Sequence, residues 1–407
     1  MPSGYAGVFE KSDKNTPLKL DEALLSLMEQ EYPAFSITEM RRRRTALAAV
    51  MEEMKVDHVV VYGANRNGSG IQWLTGWPVT AEAAAIFTPG ETDSFFVQHY
   101  NHVPLAQRLA AQAKVSWGGE STIQSVIKEL QQRQARRVGI IGPLPFSYYK
   151  ILLSKFEVLA DLNAAYVRLR LVKSPEEIVW LRIGAALSDR AVAALQQELR
   201  IGLTERDLAD IVERAYVPFG GTTHIHYFGA TSMQQPACCV PAQFLSTRRI
   251  RAGDAVFTEI SASFWDYSGQ VLRTFTVAQE ATSLYRDLHA VAEAAFDAIV
   301  AVLRDGATPE EVIEAASVIE QAGFTTCDDL LHGFGGGYFP PVIGSRSRPG
   351  GRLPDMTIKA GMTVVVQPNV VTKDGCAGVQ VGELLLITES GIERLHRAPR
   401  GLFRIDS

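Results

Sequence analysis

The segment Ser174-Pro175-Glu176-Glu177 constrains the fold of this chain most, because it encodes a helix start between two regions of different pattern. Ser174 can accept from the first turn, Pro175 suits a position whose N–H needs no partner, and Glu177 completes a capping box. Ahead of it, a helical pattern over Ile37 to Met54 is followed by short apolar runs at Asp57 to Gly63, Ala83 to Phe87, Ser94 to Gln98 and Arg137 to Ile141. Helical patterns separate these runs, and that alternation predicts an α/β domain over residues 31–170. After it come a long helix, a second helix to about residue 217, a strand-rich stretch, a helix pair from Ser283 to Ala322, and strands at Met362 to Val371 and Val379 to Thr388. A second domain is therefore expected over residues 171–407, with the polar, irregular residues 1–30 as an N-terminal arm.

A hydrophobic content of 46% over 407 residues is ample for two buried cores. The net charge of -5 at pH 7 argues against a nucleic-acid partner. The one dense basic cluster, Arg41 to Arg44, falls in a helix opened by Ser36-Ile37-Thr38-Glu39, which reads as a capping box, so a solvated helix face is expected there. No apolar run approaches the length of a membrane span and the N-terminus lacks a signal-peptide layout, so no membrane partner and a cytoplasmic location are expected. Cys238, Cys239, Cys327 and Cys376 do not make a disulfide framework and are read as reduced thiols. A nucleophilic role for Cys238 or Cys239 would need a base at known distance.

Several motifs stand in one order along the chain: Trp73-Leu74-Thr75-Gly76, Lys173 to Ile178, Glu259-Ile260-Ser261-Ala262 with Gly269 to Phe275, His332-Gly333-Phe334-Gly335, Gln367-Pro368 and Gly382-Glu383. Together they resemble the pita-bread family of methionine aminopeptidase, aminopeptidase P, prolidase and creatinase. The resemblance implies class α/β (α+β), in a two-domain creatinase-like architecture with an N-terminal α/β domain and a C-terminal pita-bread domain. It also implies a homodimer in which the first domain of one subunit reaches the other's site.

The metallopeptidases of that family hold two divalent ions with two Asp, one His and two Glu. By resemblance the first Asp falls on Glu259 and the second, eleven residues on, on Gln270; the His matches His332, and the two Glu positions hold Gln367 and Gly382, with Glu383 next to the last. Amides bind hard cations weakly, so no metal ion and no other cofactor is expected. Creatinase and ectoine hydrolases offer the resemblance for such a site, the latter also placing a Glu at the first Asp position.

The expectation is therefore a metal-independent hydrolase that cleaves a C–N bond of a small polar or cyclic amide or amidine, with Glu259 as nucleophile or general base, His332 as proton shuttle and Glu383 as a second acid. Gln270, Gln367, Tyr338, His226, Arg66 and Trp73 are the expected contacts to a small-molecule substrate. The alternatives are a lyase in the same pocket and a catalytically inactive binding protein, with Xaa-Pro metallopeptidase activity ranked behind them. A structural role for Glu259, paired with Arg273, stands beside its catalytic reading.

Overall fold

The computed structural model describes residues 22–65, 68–348, 350, 351, 353 and 355–406. The chain divides into two units, one spanning Gln30–Leu171 and one holding Val172–Ser407 together with the described residues 22–29. Within the expected N-terminal arm, Glu22–Met28 is a short helix rather than irregular chain.

The first unit is built on a six-stranded sheet of β1 (His58–Ala64), β2 (Glu82–Phe87), β3 (Asp93–Val97), β4 (Ala113–Trp117), β5 (Arg137–Ile141) and β6 (Val158–Asp161). The strand order is β4-β3-β2-β1-β5-β6. The strand β1 pairs antiparallel with β2 and parallel with β5, so the sheet is mixed. Its strands read as near-continuous apolar runs because both faces are covered, giving two clusters of buried side chains. Trp73 lies in one of them, 4% exposed.

The helix Ile37–Met54 buries Glu39, Arg43, Leu47 and Met51, a spacing of four that makes one stripe. This corrects the expectation of a solvated arginine face for Arg43 and Arg44, while Arg41 and Arg42 are exposed as expected. Arg43 is inside the stripe, bonded to Glu39 and to the Trp73 carbonyl and lying over the Phe35 ring. Arg44 forks onto the Asp93 carboxylate. The cluster is dense in charge because the unit buries part of it against partners, as buried guanidinium requires.

The second unit opens with the helix Pro175–Glu198, whose Ser174 and Glu177 form the reciprocal capping box. The remaining strands are β7 (Thr222–Ser232), β8 (Asp254–Phe264), β9 (Tyr267–Val277), β10 (Thr325–Thr326), β11 (Leu331–Phe334), β12 (Tyr338–Ile343), β13 (Thr363–Val366), β14 (Val370–Val371), β15 (Gly382–Ile387), β16 (Ile392–Arg394) and β17 (Leu402–Ile405). The large sheet runs β12-β11-β13-β15-β9-β8-β7, with β16 paired to β15 and β17 to β9. The expected helix pair after Ser283 is three helices, Ser283–Val302, Pro309–Ala315 and Val318–Gln321.

The long helix lies directly on β8 and β9. Ser188 Oγ donates to the Gly269 carbonyl at 2.5 Å and accepts from the Ala262 N–H at 2.9 Å. Gly269 is required for that approach, since a Cβ there would stand 2.2 Å from the Ala185 Cα. The sheet face turned away from this helix is left free to build a cavity. Among the described residues no helix is long and apolar enough to cross a membrane.

Candidate active site

The spacing of Glu259 and Gln270 has a plain structural cause. They sit on adjacent antiparallel strands with Glu259 opposite Leu272 and Ser261 opposite Gln270, so both side chains share one face one diagonal apart. Gln270 Nε2 donates to Glu259 Oε1 at 2.7 Å and to Gln367 Oε1 at 3.3 Å. Gln367 Nε2 in turn donates to Asp328 at 3.2 Å and to Asp329 at 3.3 Å. Two carboxamides thus join Glu259 to the acidic pair Asp328-Asp329. Tyr338 donates to Asp329 at 3.2 Å, and its ring stacks on His332 with centroids 4.3 Å apart.

These residues line one cavity of about 450 Å³, together with His224, Tyr227 and Gln380. Three buried acceptors on residues that line the cavity, Gln270 Oε1, Gln380 Oε1 and Asp329 Oδ2, have no hydrogen-bond partner among the described residues.

Burial dominates the electrostatics. It raises the Glu259 carboxyl to about 8, with the nearby Asp328 and then Asp329 adding to the rise. Asp328 is raised to about 7, by burial first and by Asp329 next. Near neutral pH the site therefore holds protons and carboxylate charge together. Burial also pushes the His332 imidazole down to about 4. Its Nδ1–H donates to the Gly333 carbonyl at 3.1 Å, leaving Nε2 as an acceptor. The expected proton shuttle is thus a neutral acceptor near pH 7, not a charged donor.

Glu383 does not join the cavity, contrary to expectation. In β15, Gly382 stands opposite Leu272 and Glu383 opposite Val271, so strand alternation turns Glu383 to the other face of the sheet. There it is fully buried between Arg273 and Arg394. Burial raises its carboxyl and the two arginines outweigh that, leaving it below the ordinary range. The partner of Arg273 is thus Glu383, and the structural reading of Glu259 as that partner is corrected.

His226 is also displaced from its expected place. His224 and His226 would share a face on a regular strand, but the pairing of β7 with β8 slips between Thr223 and Ile225. This bulge leaves His224 on the cavity with Ile225 and Tyr227, while His226 Nε2 meets the Tyr216 hydroxyl at 2.5 Å. Trp73 is packed in the core of the first unit, and Arg66 lies outside the described residues. Asp328, Asp329 and Gln380 were not singled out from sequence. Two adjacent acids directly ahead of the apolar Leu330-Leu331 were the available signal, since a buried strand gives charge at its end few places to go.

The profile of metallopeptidase family M24 matches residues 180–389. A relative, an Xaa-Pro dipeptidase of Pyrococcus furiosus, is 23% identical over 370 residues, covering 89% of this chain and 100% of that protein. A probable dipeptidase PepE of Mycobacterium tuberculosis is 28% identical over 240 residues, 58% of this chain and 61% of that one. Among solved structures, an Xaa-Pro dipeptidase from Bacillus anthracis aligns with a TM-score of 0.77 at 19% identity, covering 90% of this chain and 99% of that one. A prolidase from Pyrococcus horikoshii aligns with a TM-score of 0.75 at 20% identity, covering 89% and 99%.

The two-domain pita-bread fold expected from sequence is the fold observed. The expected reaction is overturned: these relatives carry dipeptidase and prolidase names, which point to peptide bonds and away from a metal-independent cleavage of non-peptide C–N bonds. The creatinase and ectoine hydrolase side of the resemblance gains no support from them.

The family name implies metal ions, and the residues here do not fit a two-ion centre. Of the carboxylate positions only Glu259 keeps an acid. At Gly382 even a Cβ would lie 2.7 Å from the Val366 carbonyl, so an acidic side chain has no room there. Among the described residues no three His, Cys, Asp or Glu side chains are grouped to hold an ion.

Proposed function

We propose, from the fact that this chain belongs to metallopeptidase family M24, that its cavity hydrolyses the amide bond of a short peptide. The observation that carries this reading is the gathering of Glu259, Asp328 and His332 around one cavity, with two carboxyls raised to about 8 and about 7. Coupled carboxyls titrate as a set, and near neutral pH such a set offers one proton and one charge. The ionised member takes a proton from an attacking water, and the protonated member gives one to the leaving nitrogen. Asp328, with the lower value, is the base and Glu259 the acid. The neutral His332 accepts a hydrogen bond through Nε2 and so orients the water or the substrate. Gln270 and Gln367 hold the carboxyls in place.

Dipeptides with proline in the second position are the first substrates to test, since Xaa-Pro dipeptidase is the name carried by the Pyrococcus furiosus relative. A panel with and without proline, read by mass spectrometry, is expected to show release of free amino acids. Glu259→Gln and Asp328→Asn are each expected to lower turnover by about 100-fold or more, with unchanged circular dichroism. Retained turnover in both variants, or no cleavage of any peptide in the panel, would overturn the reading.

A further inference from the structure

A pair of thiols, one of them in the cavity wall, is not used by the hydrolytic chemistry. Cys239 lies in the connection between β7 and β8, ahead of the cavity residues Val240 and Pro241. Cys327 lines the same cavity from the connection between β10 and β11, directly ahead of Asp328 and Asp329. The two Sγ atoms are 3.7 Å apart, although 88 residues separate them in sequence. Both are free thiols, Cys327 exposed and Cys239 buried. A disulfide requires about 2.05 Å between sulfurs, so a rotation of one side chain and a small movement of the backbone close the gap. The movement belongs to Cys327, because the Cys239 backbone is held: its carbonyl packs so closely on Gly378 that a Cβ there would stand 2.2 Å from it.

We propose that Cys239 and Cys327 are an oxidation site, a reversible disulfide that ties the two connections walling the cavity. Exposure makes Cys327 the thiol that meets a peroxide first. Its thiolate attacks one peroxide oxygen, the O–O bond breaks, and the hydroxide released takes up the proton the thiol had lost, leaving a sulfenic acid and water. The Cys239 sulfur then attacks the Cys327 sulfur, the S–O bond breaks, and the oxygen leaves as a second water. Two thiols are oxidised and one peroxide is reduced. Cys239 is buried and its sulfur lies 3.7 Å from that of Cys327, so it meets the sulfenic acid rather than the oxidant and serves as the resolving partner, its thiol proton passing to the departing hydroxyl. The bond fixes the position of Cys327 and hence of the adjoining Asp328 and Asp329. Its effect on turnover therefore rests on the hydrolytic reading above, while its formation does not.

The test oxidises the full chain with hydrogen peroxide after removal of reductant. Free thiols are expected to fall from the four present to two. A non-reducing digest is expected to contain peptides joined through Cys239 and Cys327, which separate on treatment with dithiothreitol. Cys239→Ser and Cys327→Ser are each expected to abolish the joined peptide, and Cys376→Ser to leave it. Peptide turnover is expected to fall in the joined form and to return on reduction. A joined peptide through Cys238 or Cys376, a link between two chains, or Cys327 oxidised beyond sulfenic acid with Cys239 still free would overturn the proposal. Because the link is read by mass and thiol count, a lack of peptide turnover in the reduced chain would count against the hydrolytic reading alone.

Discussion

In the proposed hydrolysis Glu259 and Asp328 carry the chemistry at the scale of single residues, and their burial would set the pH at which it runs. A base that must be ionised brings activity up as pH rises through about 7, the value for Asp328. An acid that must keep its proton takes activity down as pH rises through about 8, the value for Glu259. A bell-shaped profile of kcat/KM with those two limbs is the expected outcome, and a profile flat from pH 6 to about 9 would contradict the pair. Asp328→Asn is expected to remove the acid limb along with most of the activity. Of these residues, Glu259, Gln270, His332 and Gln367 were legible in sequence because the spacing of a known site framework survives around them. Asp328 was not, because its place in the network depends on Gln367 reaching across from just beyond β13, and no local pattern announces that contact.

Strand alternation decides the function of individual side chains at the scale of elements. Glu383 and Gly382 are neighbours in sequence and on opposite faces in β15, so the acid beside the expected site is a structural residue. Breaking a buried ion pair from one side leaves an uncompensated charge, and Glu383→Gln is expected to cost about 3–5 kcal/mol in chemical unfolding. The same pair gives a pH dependence with a definite sign. The folded-state carboxyl is depressed below the ordinary glutamate value of 4.5, so its contribution is present above that pH and is lost as pH falls below it. Wild-type stability is expected to fall more steeply than that of Glu383→Gln on acidification below about 4.5, and parallel curves would contradict this assignment. The bulge in β7 is the other lesson at this scale. On a regular strand two-residue spacing would give His224 and His226 one face, and a single extra residue in the pairing sends only His224 to the cavity.

The whole molecule carries a net charge of -5 at pH 7 and a sequence pI near 6.0. Colloidal stability is expected to be lowest near that pI, where repulsion between copies vanishes. Light scattering across pH 4.5 to about 8 checks this, and a minimum far from pH 6 would show that local patches outweigh the net charge. The sequence by itself determined the order of elements and the helix start at Ser174, because capping and hydrophobic period are local and short-ranged. It also determined that the family's ligand set is incomplete, since residue identity at known spacing needs no coordinates. Only the tertiary structure decided which face each acid takes, which buried arginine takes Glu383, and that Cys239 meets Cys327. Those outcomes depend on strand register and on contacts between residues far apart in the chain, and neither is written in any short stretch of sequence.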